Sequence, residues 1–189
     1  MPQPAHLRLI RHAPALHGGA LAGRRDVAAD LSDAGAFSAL RDRLGSVGQL
    51  SCSPAIRCVQ TAGILFPDHD MTFDARLWEQ DFGAWEGMAF DALPDLGDLS
   101  RDALAGHRPP QGESFADLCA RVTPALQDIA QTGDSVIVAH AGVIRAALAL
   151  ALDTIPGALA FEIAPLSLTE LRFLPGYGWS IGSVNERPG

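Results

Sequence analysis

Two short apolar runs each lead into a histidine, and this pairing most constrains the fold. Leu7-Arg8-Leu9-Ile10 runs into Arg11-His12, and Val136-Ile137-Val138-Ala139 runs into His140-Ala141-Gly142. A short run of this kind, closed by a polar turn, reads as a strand buried on both faces, as in parallel sheets. A parallel sheet needs helices on both faces. The signals between the two runs supply them. Ser32 is expected to cap a helix to about Leu44, with Gly45 as its stop. Val47 to Ser51 reads as a strand. Ser53 reads as an N-cap, with Pro54 at the first helical position of a helix ending near Phe66-Pro67. Met71 to Asp74 reads as a third strand. Ser114 to Asp117 resembles a capping box, opening a helix toward Gln131 that Pro124 should kink or break. Gly142 to Leu152 reads as a helix. Leu168 to Leu174 and Trp179 to Val184 read as strands joined by a turn at Pro175-Gly176-Tyr177-Gly178.

The expected fold class is α/β. It is a three-layer α/β/α sandwich with a mainly parallel central sheet and a C-terminal hairpin that adds at least one antiparallel strand. No repeat or linker interrupts the chain, so residues 1–189 read as a single domain. Residues 88–112 lack clear periodicity and read as a substrate-side excursion with one short helix.

Composition narrows the function. A chain of 189 residues, 48% hydrophobic, fits one compact domain with a substantial core. A formal charge of -8 argues against a nucleic-acid backbone or an anionic membrane as partner. All 14 basic residues are arginine, which removes any Schiff-base or Walker-type lysine mechanism. No stretch approaches the roughly 18 apolar residues of a transmembrane helix. Met1 to His6 lacks the form of a secretion signal. Cys52, Cys58 and Cys119 are an odd set without paired metal spacing, read as reduced, buried core residues of a cytoplasmic protein.

In doubly wound sheets the ligand site forms beyond the carboxyl ends of the strands. Arg11-His12 and His140 fall there. A phosphate monoester carries negative charge on tetrahedral oxygens, and arginine meets it with a rigid fork of donors. Arg11 and Arg57 are the candidate clamps, with Arg57 near the start of a helix whose free N–H groups favour an anion. Most of the fourteen arginines are solvated surface groups. Arg11 differs because it ends an apolar strand. His12 is the candidate nucleophile, since a neutral imidazole attacks phosphorus without first losing a proton. His140 would donate to the phosphoryl group across from it. One strand-end histidine is most often structural; two at comparable strand ends point to a site.

The leaving oxygen needs a proton. Leu77 to Gly87 offers Glu79, Asp81 and Glu86, flanked by aromatics and glycines that partly desolvate a carboxyl. These features alone do not choose among the three. No H-x-H or H-E-x-x-H pattern supports a metal, and nearby arginines would repel a cation.

Together these segments resemble the histidine phosphatase superfamily, the phosphoglycerate-mutase-like enzymes. Arg11-His12 is similar to the Arg-His-Gly signature, and Ser53-Pro54 through Arg57 and Gln60-Thr61-Ala62 to S-P-x-x-R-x-x-Q-T-A. Leu77, Glu79, Phe82-Gly83 and Trp85-Glu86-Gly87 match L-x-E-x-x-F-G-x-W-E-G. Gly112-Glu113-Ser114 and His140-Ala141-Gly142 match G-E-S and H-x-G. The resemblance implies that His12 becomes a phosphohistidine, that Arg11, Arg57 and His140 hold the phosphoryl group, and that Glu79 is the acid. It implies no metal and no cofactor, and a small-molecule phosphomonoester as partner. The short length and the F-G-x-W-E-G form most resemble α-ribazole phosphatases of cobalamin nucleotide-loop assembly, acting on α-ribazole 5′-phosphate. Other small-molecule or sugar (bis)phosphate phosphatases are the alternative. A phosphoglycerate-type mutase or a non-catalytic phosphate-binding domain ranks below them.

The chain departs from the family pattern in one loop. Ala13 replaces the usual glycine, which is tolerable where the backbone keeps negative φ. Pro14 to Gly18 stands where the family has E-T/S and, downstream, a phosphate-binding asparagine. His17 is a candidate replacement for it. Arg24, from Gly23-Arg24-Arg25-Asp26, and Glu113 complete the candidate substrate-binding residues.

Overall fold

A computed structural model describes residues 3–187. Met1, Pro2, Pro188 and Gly189 lie outside the described residues; they include the outer ends of the expected domain 1–189 and the start of the Met1 to His6 segment. The strands are β1 (Ala5–Arg11), β2 (Gln49–Cys52), β3 (Thr72–Phe73), β4 (Ser135–Ala139), β5 (Leu168–Leu174) and β6 (Gly178–Glu186). The α-helices are α1 (Ala34–Leu44), α2 (Ile56–Leu65), α3 (Arg101–Gly106), α4 (Phe115–Gln131), α5 (Ala141–Leu152) and α6 (Ile155–Ala158).

The six strands form one sheet in the order β3-β2-β4-β1-β5-β6. β1 to β4 run parallel; β5 is antiparallel to both its neighbours, β1 and β6. Side chains alternate between two buried layers, as the pleat requires. Leu7, Leu9, Ile137 and Ala139 pack under α4 and α5. Ile10, Val136 and Val138 pack against Phe37 and Leu40 of α1 and Ala62 of α2. The three-layer α/β/α sandwich with its closing hairpin is therefore as expected.

Three local details differ from expectation. Asp33, not Ser32, caps α1, its carboxylate accepting from the Ala36 amide at 2.9 Å. Ser53-Pro54 does not begin α2. That helix starts at Ile56 after Ala55, and Asp26, from the loop before α1, accepts the Ile56 amide at 2.7 Å. The capping group comes from a distant segment because the Ser53 hydroxyl is engaged elsewhere. Pro124 does not break α4, which runs unbroken behind a full capping box of Ser114 and Asp117. Pro124 and Ala120, whose carbonyl it deprives of a donor, both face solvent, where water can serve. Val122, Ala125, Leu126 and Ile129 hold the other face in the core. The excursion 88–112 carries a 3₁₀ turn at Phe90–Ala92 and the helix α3, with Ala105 buried in the core.

Candidate active site

Three neighbouring parallel strands end side by side, and each end presents a polar side chain. β1 and β4 are in register at Arg11 and Ala139, so His12 and His140 emerge together. The His12 amide donates to the Ala139 carbonyl at 2.9 Å, and the Ser53 amide, past β2, to the Val138 carbonyl at 3.0 Å. The two imidazoles meet edge to face, with centroids 5.1 Å apart.

Arg57 lies between them, 1% exposed. Its Nε donates to His12 Nε2 at 3.3 Å and its Nη2 to His140 Nδ1 at 3.1 Å. Nη1 and Nη2 also donate to the carbonyls of Arg25 and Gly23, at 2.9 and 2.7 Å. A guanidinium only donates, so these contacts fix both tautomers. His12 Nε2 holds a lone pair, and its Nδ1–H donates to the Ala13 carbonyl at 2.6 Å. His140 carries its proton on Nε2, 2.9 Å from Ser53 Oγ. Burial, aided by Arg57 and Arg11, drives the His12 pKa down to about 3 and outweighs the Ala13 hydrogen bond. Burial also holds His140 well below its ordinary value, with the charges of His12 and Arg57 adding to it. Both rings are neutral at neutral pH.

Arg11 donates to the Ile163 carbonyl at 2.6 Å, so it has a protein partner that the sequence did not indicate. Its buried Nε has none. Burial lowers its pKa, partly offset by the charge of Glu79. Ala13 is fully buried, its amide donates to Thr61 Oγ1 at 2.9 Å, and it is absent from the residues with positive φ. The substitution of alanine for glycine is thus accommodated.

The structure separates the three carboxylates that the sequence left level. Asp81 accepts the Gly83 amide at 2.8 Å. Glu86 accepts the amides of Phe82 and Arg24, at 3.1 and 2.8 Å. Neither carboxylate is hydrogen-bonded to the start of α5. Glu79 also accepts a neighbouring amide, that of Gln80 at 2.9 Å on Oε1, but its Oε2 reaches the start of α5, 3.3 Å from the Gly142 amide and two residues beyond His140. A Cβ on Gly142 would lie 2.2 Å from Glu79 Oε1, which explains why that position carries no side chain.

Of the remaining candidates, Arg24 and Glu113 pair with each other at 3.0 Å, and Arg24 lies 3.7 Å from Asp81. His17 accepts the Gly19 amide at 3.1 Å and packs edge-on against Phe90, 5.2 Å between centroids. Neither contact ties His17 to His12 or Arg57. Sequence reasoning passed over Ser53 as a site residue, because its Ser-Pro context reads as a cap. It also passed over Trp78, whose indole stacks on His140 with the planes 10° apart, and Arg121. Cys52, Cys58 and Cys119 are free and buried. No helix among the described residues is long and apolar enough to cross a membrane.

The model of the histidine phosphatase superfamily (branch 1) matches residues 7–187. The chain belongs to this superfamily. A 6-phosphofructo-2-kinase/fructose-2,6-bisphosphatase of Caenorhabditis elegans is 30% identical over 125 residues, 64% of this chain and 27% of that protein. The chain thus spans well under half of that relative's length. The phosphoserine phosphatase of Entamoeba histolytica superposes with a TM-score of 0.82 at 23% identity, covering 96% of each chain. A candidate alpha-ribazole-5′-P phosphatase of Escherichia coli gives 0.80 at 18%, again over 96% of each. These two structures share the fold of this superfamily member.

Proposed function

We propose that this chain is a phosphoric monoester hydrolase acting through a phosphohistidine at His12, with a small-molecule phosphomonoester as substrate. The observation that carries the proposal is the fixed tautomer of His12. Its Nδ1 proton is tied to Ala13, and its Nε2 lone pair faces the guanidinium of Arg57. Depression of its pKa keeps that lone pair free of protons at neutral pH. Superfamily membership supports the same chemistry.

In the first step the Nε2–phosphorus bond forms as the bond to the leaving oxygen breaks, and Glu79 gives that oxygen its proton. Arg57 Nε transfers its hydrogen bond from the imidazole to a phosphoryl oxygen, and Arg11 directs its unpaired Nε at the same group. In the second step water attacks phosphorus, Glu79 takes the water's proton, and phosphate leaves with His12 neutral again. Charge stabilisation comes from Arg11, Arg57 and His140, with no metal and no cofactor invoked. α-Ribazole 5′-phosphate is the proposed substrate, on the F-G-x-W-E-G form of residues 82–87 and the shared fold with the E. coli protein.

Phosphate release from p-nitrophenyl phosphate, then from a panel of small phosphomonoesters that includes α-ribazole 5′-phosphate, tests both levels. His12→Ala should abolish turnover together with an acid-labile, base-stable phosphoryl adduct. Near-normal turnover by this variant would end the mechanism. Slow release from α-ribazole 5′-phosphate beside fast release from another ester would end the substrate assignment alone.

A further inference from the structure

Arg121 spends its donors on the segment that carries Glu79 and on Glu113, which clasps that segment from the other side. A guanidinium offers five N–H groups. From α4, Nε and Nη2 grip the two carboxylate oxygens of Glu113 at 2.9 and 2.8 Å. Nη1 donates to the carbonyls of Arg76 and Trp78, at 2.7 and 3.1 Å. The second Nη2 donor meets the Glu79 carbonyl at 3.2 Å. Glu113 closes the structure from the other side. Its Oε2 accepts the Asp81 amide at 3.2 Å, and its carbonyl accepts the Gln80 side-chain amide at 2.8 Å. The pair is no surface bridge, its side chains being only 19% and 20% exposed. The backbone on both sides of Glu79 is therefore fastened to one helix, and that helix belongs to the core.

We infer that Arg121 is the positioning residue of the general acid: it holds the 76–81 segment so that the Glu79 carboxyl stays at the Gly142 amide beside His140. This rests on the reading of Glu79 as the acid. Geometry of this kind decides the rate of proton transfer, because an acid displaced by about 1 Å loses much of its effect. Lysine cannot substitute, since three donors on a point charge reproduce neither the fork to Glu113 nor the grip on three carbonyls.

The test compares two phosphate esters, an alkyl phosphate and p-nitrophenyl phosphate, in wild type, Arg121→Lys, Glu79→Gln and the double variant. Arg121→Lys should lower kcat on the alkyl ester roughly 10-fold and on p-nitrophenyl phosphate by less than about threefold, with KM little changed, because only the poor leaving group needs the proton. In the Glu79→Gln background the same substitution should cost nothing further on the alkyl ester. Equal losses on both esters, or full additivity in the double variant, would make Arg121 a purely structural residue and overturn the inference. Should Arg121→Lys fold poorly, Glu113→Gln, which weakens the same clamp and leaves the three carbonyl contacts, should show the same selectivity on a smaller scale. Glu79→Gln acts as the reference. Were it to slow both esters alike, the acid itself would be misassigned, and the positioning role would fall with it.

Discussion

The two halves of the site treat charge in opposite ways. Around His12 the cations are unbalanced. Arg11 and Arg57 donate to carbonyls and imidazoles, and among the described residues neither makes an ion pair with a carboxylate. Around Glu79 the charges are balanced. Arg24 and Arg121 both hold Glu113, Arg24 also approaches Asp81, and Glu86 is taken up by backbone amides. The first half leaves a buried positive field that a phosphoryl dianion would neutralise. The second half neutralises its charges internally and, on the proposed reading, leaves the phosphoryl group to the first. Arginine number alone would not separate them; what each guanidinium faces does.

The sharpest way to break this contrast is to remove one arginine from each half. Arg57→Ala takes away the proposed phosphoryl clamp beside His12 and should lower kcat/KM by roughly 10³-fold, the scale of a lost oxyanion donor. Arg24→Ala removes a guanidinium already paired to Glu113 and should change kcat/KM by about threefold or less, as for a partly exposed ion pair. Steady-state kinetics on p-nitrophenyl phosphate measure both. Losses of similar size would show that Arg24 also faces the substrate and that the two halves are not distinct.

Glu79→Gln tests the second half directly. An alkyl phosphate should slow by roughly 10²-fold and p-nitrophenyl phosphate much less, since a good leaving group departs without a proton. Asp81→Asn and Glu86→Gln should lack this leaving-group dependence, because their carboxylates hold the amides of Gly83, Phe82 and Arg24, whereas Glu79 Oε2 lies at the Gly142 amide beside His140. A control that showed the dependence would move the acid to that residue.

Acid should damage the first half before the second. His12 has a folded-state pKa of about 3 against an ordinary 6.5, and His140 shifts in the same direction. Above pH 6.5 both rings are neutral whether the chain is folded or not, so they cost nothing. Below it the unfolded chain binds protons that the folded chain refuses, and stability falls with pH until the folded pKa is reached. The slope contributed by His12 is at most about 1.4 kcal/mol per pH unit. Denaturant melts between pH 6.5 and 4 should show the fall, and His12→Gln should flatten it. An unchanged slope in that variant would mean that the ring is not held neutral by burial.

The same contrast explains what was legible in the sequence. The half proposed to bind the phosphoryl group was readable because its histidines sit at the ends of short, mostly apolar parallel strands and the turn follows at once. The layers and the hairpin followed from the same local patterns. The acid half depends on pairings remote in sequence, and local rules misassign those. Arg121 stands four residues after Asp117, the spacing of an ordinary helix-surface pair. In the structure Asp117 instead takes Arg108, at 2.7 Å, and Arg121 turns inward to Glu113. Ser53 next to Pro54 satisfies every local rule for a helix start, yet its hydroxyl goes to His140 and the cap comes from Asp26. Arg121 therefore carried no local sign of its role, while the Ser53 reading failed because a short polar side chain was given its nearest use.

Ser53 yields the most specific expectation. In the structure His140 accepts from Arg57 at Nδ1 and donates from Nε2 toward Ser53 Oγ. To donate to a phosphoryl oxygen from Nδ1 the ring must adopt the other tautomer, with Nε2 as acceptor. A hydroxyl serves either state, because it can both donate and accept. Ser53→Ala leaves Nε2 without this partner in both tautomers, with Cys58 Sγ at 3.5 Å as its remaining polar neighbour. One neutral hydrogen bond is worth about 1 kcal/mol, so kcat should fall about fivefold, with KM nearly unchanged if the bond matters most in the transition state. Ser53→Thr keeps the hydroxyl and should recover most of the rate where the extra methyl is accommodated. Vanadate affinity should fall in step with kcat for the alanine variant, since the anion draws on the same His140 donor. Unchanged kcat and vanadate affinity in Ser53→Ala would show that His140 sets its tautomer without the hydroxyl and that Ser53 is only a packing residue beneath the ring.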